Sequence, residues 1–155
     1  MASSSDISII TMISILQTID TCNKLLNIKT QIHQLPWRYY KEIPSNARGI
    51  YIIEDDEQRP IYVGKGWIRN RQDTHWPKAH GQTKSYQTDP KGWKQLREHN
   101  TNMNPKEWTI YYTVLTSETE LTALEGALIH LLQPLANDET FKDTNHTAMG
   151  AVIAP

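Results

Sequence analysis

Cysteine occurs once in this 155-residue chain, at Cys22, so no internal disulfide can form. No second cysteine or histidine cluster stands near it, which leaves a structural zinc site without ligands and fits a reducing compartment. Phenylalanine also occurs once, against five tryptophans and seven tyrosines. The chain thus favours large rings that carry a polar handle. Long apolar runs are missing as well. The stretch from Ile7 to Ile19 is interrupted by Ser8, Ser14 and Gln17 and has no basic residue before it, so it reads as a packed helix, neither signal peptide nor membrane span. A cytoplasmic, membrane-free protein is the expectation. Aliphatic and aromatic residues at 38 % with 21 % charged describe an ordinary folded domain, and the length suits one core.

The pattern along the chain predicts an α+β domain: a small three-stranded, mainly antiparallel sheet flanked by helices, with an extra N-terminal helix. Residues 7–34 lack Gly and Pro and read as that helix. With its connecting segment it occupies residues 1–45, where it either closes the back of the sheet or pairs two subunits into a homodimer. Residues 49–54 and 61–63 read as two strands of a hairpin around a polar turn. A helix is expected from Trp67 to before Pro77, then a basic insertion at about 80–106 with a short helix near Trp93–Glu98. Trp108 to Leu115 is a third strand. Ser117 and Glu120 open a last helix with a capping-box pattern, and Leu121, Leu124, Leu128, Leu131 and Leu132 form its apolar stripe. Residues 46–140 make the predicted central domain and 141–155 a tail.

The net charge of −1 conceals an uneven distribution. Residues 59–106 carry ten Lys/Arg against Asp73, Asp89 and Glu98, a net +7, interleaved with Trp67, Trp76, Tyr86 and Trp93. A local positive field with aromatic rings suits a polyanion. Glu125 is the complementary oddity. It lies four residues after Leu121 and three before Leu128, on or beside the inward face. A carboxylate there is costly unless it is paired or bound to a cation.

The stretch RGIYIIEDDEQRPIYVGKG, with Gly49-Ile50-Tyr51 and Tyr62-Val63-Gly64, resembles the signature of the GIY-YIG nucleases. The resemblance continues through Arg71 and His75, then Glu125 and Asn137, and spans roughly residues 47–138. It departs at Gly66, which follows Lys65, and in a link to Arg71 that is one residue shorter than the family's usual spacing. It implies a divalent-metal-dependent endonuclease that hydrolyses DNA phosphodiester bonds, as a stand-alone or restriction-type member.

In that reading Tyr51 is the general base and Tyr62 shares its site. Arg71, with Arg69 as the alternative, clamps the scissile phosphate, and Glu125 holds one Mg²⁺, for which Mn²⁺ can substitute. A phenol with a pKa of ~10 needs help to act as a base, and Lys65 and His75 are the candidate cationic neighbours or relay. Asn137 orders the site's edge. Arg69, Lys78, Lys84, Lys91 and Lys94 are the expected DNA contacts. A catalytically silent nucleic-acid-binding module on the same fold is the alternative.

Overall fold

A computed structural model describes residues 14–82 and 91–137 of the chain. Four strands, not three, form one antiparallel sheet. In chain order the elements are α1 (Ile15–Leu26), β1 (Ile32–Pro36), β2 (Arg48–Glu54), β3 (Pro60–Trp67), α2 (Ile68–Ala79), α3 (Lys91–His99), β4 (Thr109–Val114) and α4 (Glu118–Leu132). Short 3-10 turns cover Trp37–Glu42 and Pro105–Glu107. The strand order is β1-β4-β2-β3, so β2 is interior and β3 lies at an edge.

The N-terminal helix ends earlier than its composition suggests, and residues 7–13 of the expected helix lie outside those described. It begins at a capping box between Ser14 and Gln17 and stops at Leu26, because Asn27 turns left-handed at φ 54° and returns its N–H to Asn23 and Lys24. Asparagine tolerates that conformation, so no Gly or Pro is needed to end the helix. The residues freed this way supply β1, which pairs with β4 from Ile32↔Thr113 to Pro36↔Thr109. In α2, Pro77 sits inside the helix instead of beyond its end. It lies in the last turn, where only one backbone bond is forgone.

Central β2 reads as a continuous apolar run because both its faces are covered. The turn into β3 is built on Asp55. Its Oδ1 accepts from the Glu57 and Arg59 backbone N–H groups, and its Oδ2 accepts from Arg59 Nε. The Ser117 hydroxyl caps α4, which ends at left-handed Gln133 just before Pro134. Leu131 faces outward from α4 at 47 % exposure, so the apolar stripe runs through Leu121, Leu124 and Leu128 without it.

Two separate cores flank the sheet. One packs α1 and α4 on Ile50, Ile52, Val63 and Tyr111, and it takes in Cys22, whose thiol burial pushes up to about 11. The other gathers Trp37, Tyr40, Tyr51, Ile61, Trp93, Trp108 and Ile110 beneath α2 and α3. Among the described residues no helix is long and apolar enough to cross a membrane.

Candidate active site

Tyr51 and Tyr62 lie on adjacent strands and on the same face, since Tyr51 pairs with Gly64 and Tyr62 with Ile53. Their rings run nearly parallel, 10° apart at 6.1 Å between centroids. Beneath them the edge strand is bare. The Tyr51 hydroxyl lies where a Cβ on Gly64 would be, so only glycine leaves that oxygen its place. Two residues on, Gly66 has φ +131°, and a Cβ there would stand 2.9 Å from Arg71 Nε. The two glycines therefore form a floor along β3 on which the tyrosine hydroxyl and the guanidinium rest. Glycine beside Lys65 is what admits Arg71 to this floor.

His75 follows one helical turn after Arg71 on α2 and is 6 % exposed. Its Nε2 lies 2.8 Å from Tyr51 Oη, and its Nδ1 receives the Trp93 indole N–H at 3.2 Å. The ring also packs against Tyr62, with centroids 4.2 Å apart. Burial, reinforced by Lys78 and Arg71, lowers its pKa to about 3. His75 is thus a neutral imidazole at ordinary pH and supplies no positive charge to Tyr51. Burial also raises the Tyr51 pKa well above 10; Tyr62 and Glu125 add to the rise, and Arg71 opposes it.

Lys65 does not reach Tyr51 either. Alternation along β3 turns it to the opposite face, where its Nζ donates to Glu118 Oε1 at 2.6 Å and to Thr122 Oγ1 at 2.9 Å. Glu118 also receives Arg48 at 2.5 Å, and the two cations hold its pKa below the usual carboxylate range. Glu125 lies further along α4 than Glu118, near Lys65 and Arg71, and is 8 % exposed. Burial raises its pKa to about 7, with Lys65 and Arg71 opposing. It makes no hydrogen bond or ion pair with any described residue.

A buried acid without a donor fits a hard divalent cation. Mg²⁺ tolerates one protein carboxylate because it retains waters and takes phosphate oxygens. Among the described residues no three His, Cys, Asp or Glu side chains converge as a fuller metal cage.

Asn137 closes the edge. Its Oδ1 accepts from Val63 N–H and its Nδ2 donates to Val63 C=O, both at 3.0 Å, as a neighbouring strand would. The Leu135 and Ala136 N–H groups reach Pro60 and Ile61 alongside.

No family model matches the chain, and no curated protein is significantly similar to it. Geometry alone therefore sorts the expected residues. Tyr51, Tyr62, Arg71 and His75 come together on the glycine floor; Glu125 and Lys65 approach from the α4 side of β3; Asn137 braces the strand between them. Arg69 instead acts on Tyr40, whose hydroxyl donates to Asp73. Lys78 is 9 % exposed and its carbonyl accepts from Arg97, so it lies inside the fold. Lys94 is exposed. Lys84 and the Lys91 side chain lie outside what is described. A cleft of about 290 Å³ between the β2–β3 turn and the end of α3, lined by Asp55, Arg59, His99 and Trp108, includes none of these residues.

Sequence reasoning missed Trp93. Its segment reads as a basic insertion for DNA contacts, yet the ring is fully buried against His75. The available signal was the Gly92-Trp93…Leu96 spacing, apolar residues at i and i+3 on a short helix.

Proposed function

We propose that the chain is a divalent-metal-dependent endonuclease that hydrolyses DNA phosphodiester bonds at the edge of β3. The observation that carries this reading is the meeting of Tyr51 and Arg71 on the Gly64–Gly66 floor, with the unpaired carboxylate of Glu125 close enough to act on both. Phosphodiester hydrolysis needs a base for the attacking water, a fixed cation for the phosphoryl oxygens and help for the leaving oxygen.

Arg71 is exposed and always charged, and its planar fork suits a phosphate. Tyr51 accepts a proton from the attacking water only as phenolate, its own proton having gone to solvent beforehand. Arg71 favours that form, and an approaching cation near Glu125 would add to the effect. Glu125 would hold the metal ion, which when bound supplies positive charge for the phosphate and the leaving oxygen. Tyr62 stacks beside Tyr51, and Asn137 fixes the strand on which the floor is built.

One observation favours a binding-only module on the same fold: Tyr51 is 1 % exposed. Cleavage requires water to reach a hydroxyl that is covered here. Incubation of the protein with plasmid and with duplex, branched and single-stranded oligonucleotides plus Mg²⁺ separates the readings. The wild type should nick, and Arg71→Ala or Glu125→Ala should lose about a hundredfold or more in rate. Equal nicking by all three proteins, or binding without cleavage by the wild type across Mg²⁺ and Mn²⁺, would sink the nuclease.

A further inference from the structure

We propose that Trp93 is a positioning residue for Tyr51, holding His75 in the one tautomer that donates to the tyrosine oxygen; the functional part rests on Tyr51 being the base of the proposed nuclease. An indole nitrogen donates and never accepts. The Trp93 N–H is directed at His75 Nδ1 at 3.2 Å, so Nδ1 carries no proton. The single proton of the neutral ring is then on Nε2, which lies 2.8 Å from Tyr51 Oη. The bond accordingly runs from imidazole to phenol. Tyr51's own proton is directed away from His75.

The opposite tautomer would set two N–H groups against each other between Trp93 and His75. It would also make Nε2 an acceptor that holds the Tyr51 proton inside the core. None of the three groups can turn to water instead, since Trp93, His75 and Tyr51 are 0 %, 6 % and 1 % exposed. Burial beside Lys78 and Arg71 keeps the ring in its single-proton form, to which this reasoning applies.

The indole itself is fixed by stacking. Tyr62 lies at 5.8 Å and 12°, and Trp37 at 6.0 Å and 11°. The donor, the imidazole and the phenol thus form a directed chain, Trp93 to His75 to Tyr51, whose last bond stabilises the phenolate oxygen. His75 therefore acts as a fixed donor to the phenolate, and it does not receive the tyrosine's proton.

The test replaces the indole N–H and keeps the ring. Long-range ¹H–¹⁵N correlation spectra of wild-type protein should show His75 protonated at Nε2 alone. In Trp93→Phe the signal should move to the other tautomer or to a mixture. With 3-benzothienylalanine at position 93, sulfur replaces N–H in an almost unchanged outline, which covers the case in which Trp93→Phe folds poorly. Both replacements should lower kcat about tenfold to a hundredfold and leave KM unchanged, as loss of an orienting partner does. A wild-type spectrum with the proton on Nδ1 would overturn the proposal. So would an unaltered Nε2 signal and unaltered kcat in a folded variant. Failure of the wild type to cut any DNA, with the tautomer behaving as stated, would instead overturn the nuclease reading and leave the directed bond standing.

Discussion

The two faces of the sheet are packed with different chemistry. Against α1 and α4 the residues are Ile15, Ile19, Ile50, Ile52, Leu121, Leu124 and Leu128, which fill space and bond to nothing. Against α2 and α3 they are rings: Trp108, Trp37, Trp93, Tyr62 and Tyr51 succeed one another at 5.7, 6.0, 5.8 and 6.1 Å, with planes within 12° at each step. Most rings on this face have a bonded polar end, although the Trp108 indole N–H has no partner among the described residues. Trp37 Nε1 donates to Gln72 Oε1 at 3.1 Å, Gln72 Nε2 donates to the Ile68 carbonyl, and Tyr40 donates to Asp73. An aliphatic core specifies volume, whereas a ring core with hydrogen-bonded ends also specifies orientation. The oriented face is the one that holds Tyr51 and His75.

The comparison breaks first on volume. Leu124 is fully buried, and Leu124→Ala should cost about 3 kcal/mol in urea unfolding. A loss below about 1 kcal/mol would mean that the aliphatic face is loosely packed.

Next comes the rim, where Glu125 borders the aliphatic face. Its pKa rises from 4.5 to about 7 on folding, so the folded state holds that proton more tightly than the unfolded chain. Wild-type stability attributable to Glu125 therefore falls as pH rises through the window from 4.5 to 7, and it levels off above. Glu125→Leu should gain stability relative to wild type across that window, reaching on the order of 3 kcal/mol at about pH 8 in metal-free buffer. A difference between the two proteins that is the same at both ends of that range would remove the buried charge from the account.

Two further core changes sharpen the contrast. Leu124→Met should cost below about 1.5 kcal/mol. Replacing Trp37 with 3-benzothienylalanine keeps the ring outline but strands Gln72 Oε1 in the core and should cost about 2 kcal/mol, with most of it recovered when Gln72→Met is added. Equal losses at the two sites would erase the distinction between filling and orienting. The smallest effect lies outside both cores. Lys24 and Asp20 pair at 3.0 Å while largely exposed, so Asp20→Ala should change the unfolding free energy by less than about 0.5 kcal/mol.

The elements with strong local signals were legible in the residues themselves. Residues 49–54 are rich in β-branched and aromatic side chains, Ser117 and Glu120 announce α4, and the Leu121/Leu128 spacing places Glu125 inward. β1 was not legible. Ile32-His33-Gln34-Leu35-Pro36 alternates weakly and owes its strand form to β4, with the Gln31 carbonyl accepting from the Thr113 hydroxyl. That Arg71, rather than Arg69, lies beside the glycine floor depends on Gly66, whose φ of +131° no spacing rule reveals. For Lys65 the signal was present but unused, since three positions after Tyr62 alternation alone turns it to the opposite face; for His75 only the cationic option fails, because its charge depends on burial contributed in part by a tryptophan 18 positions away.

The bonds between Asn137 and Val63 bear on how the protein is made. Chains emerge from the ribosome in order, so Tyr51, Gly64, Arg71 and His75 are all synthesised before the helix that carries Glu125. The strand beneath them receives its brace 74 positions after Val63. While residues 76–124 are being added the nascent chain therefore holds Arg71 without Glu125, and the β3 edge lacks its brace until Asn137 is made. The same segment that completes the site also closes that edge.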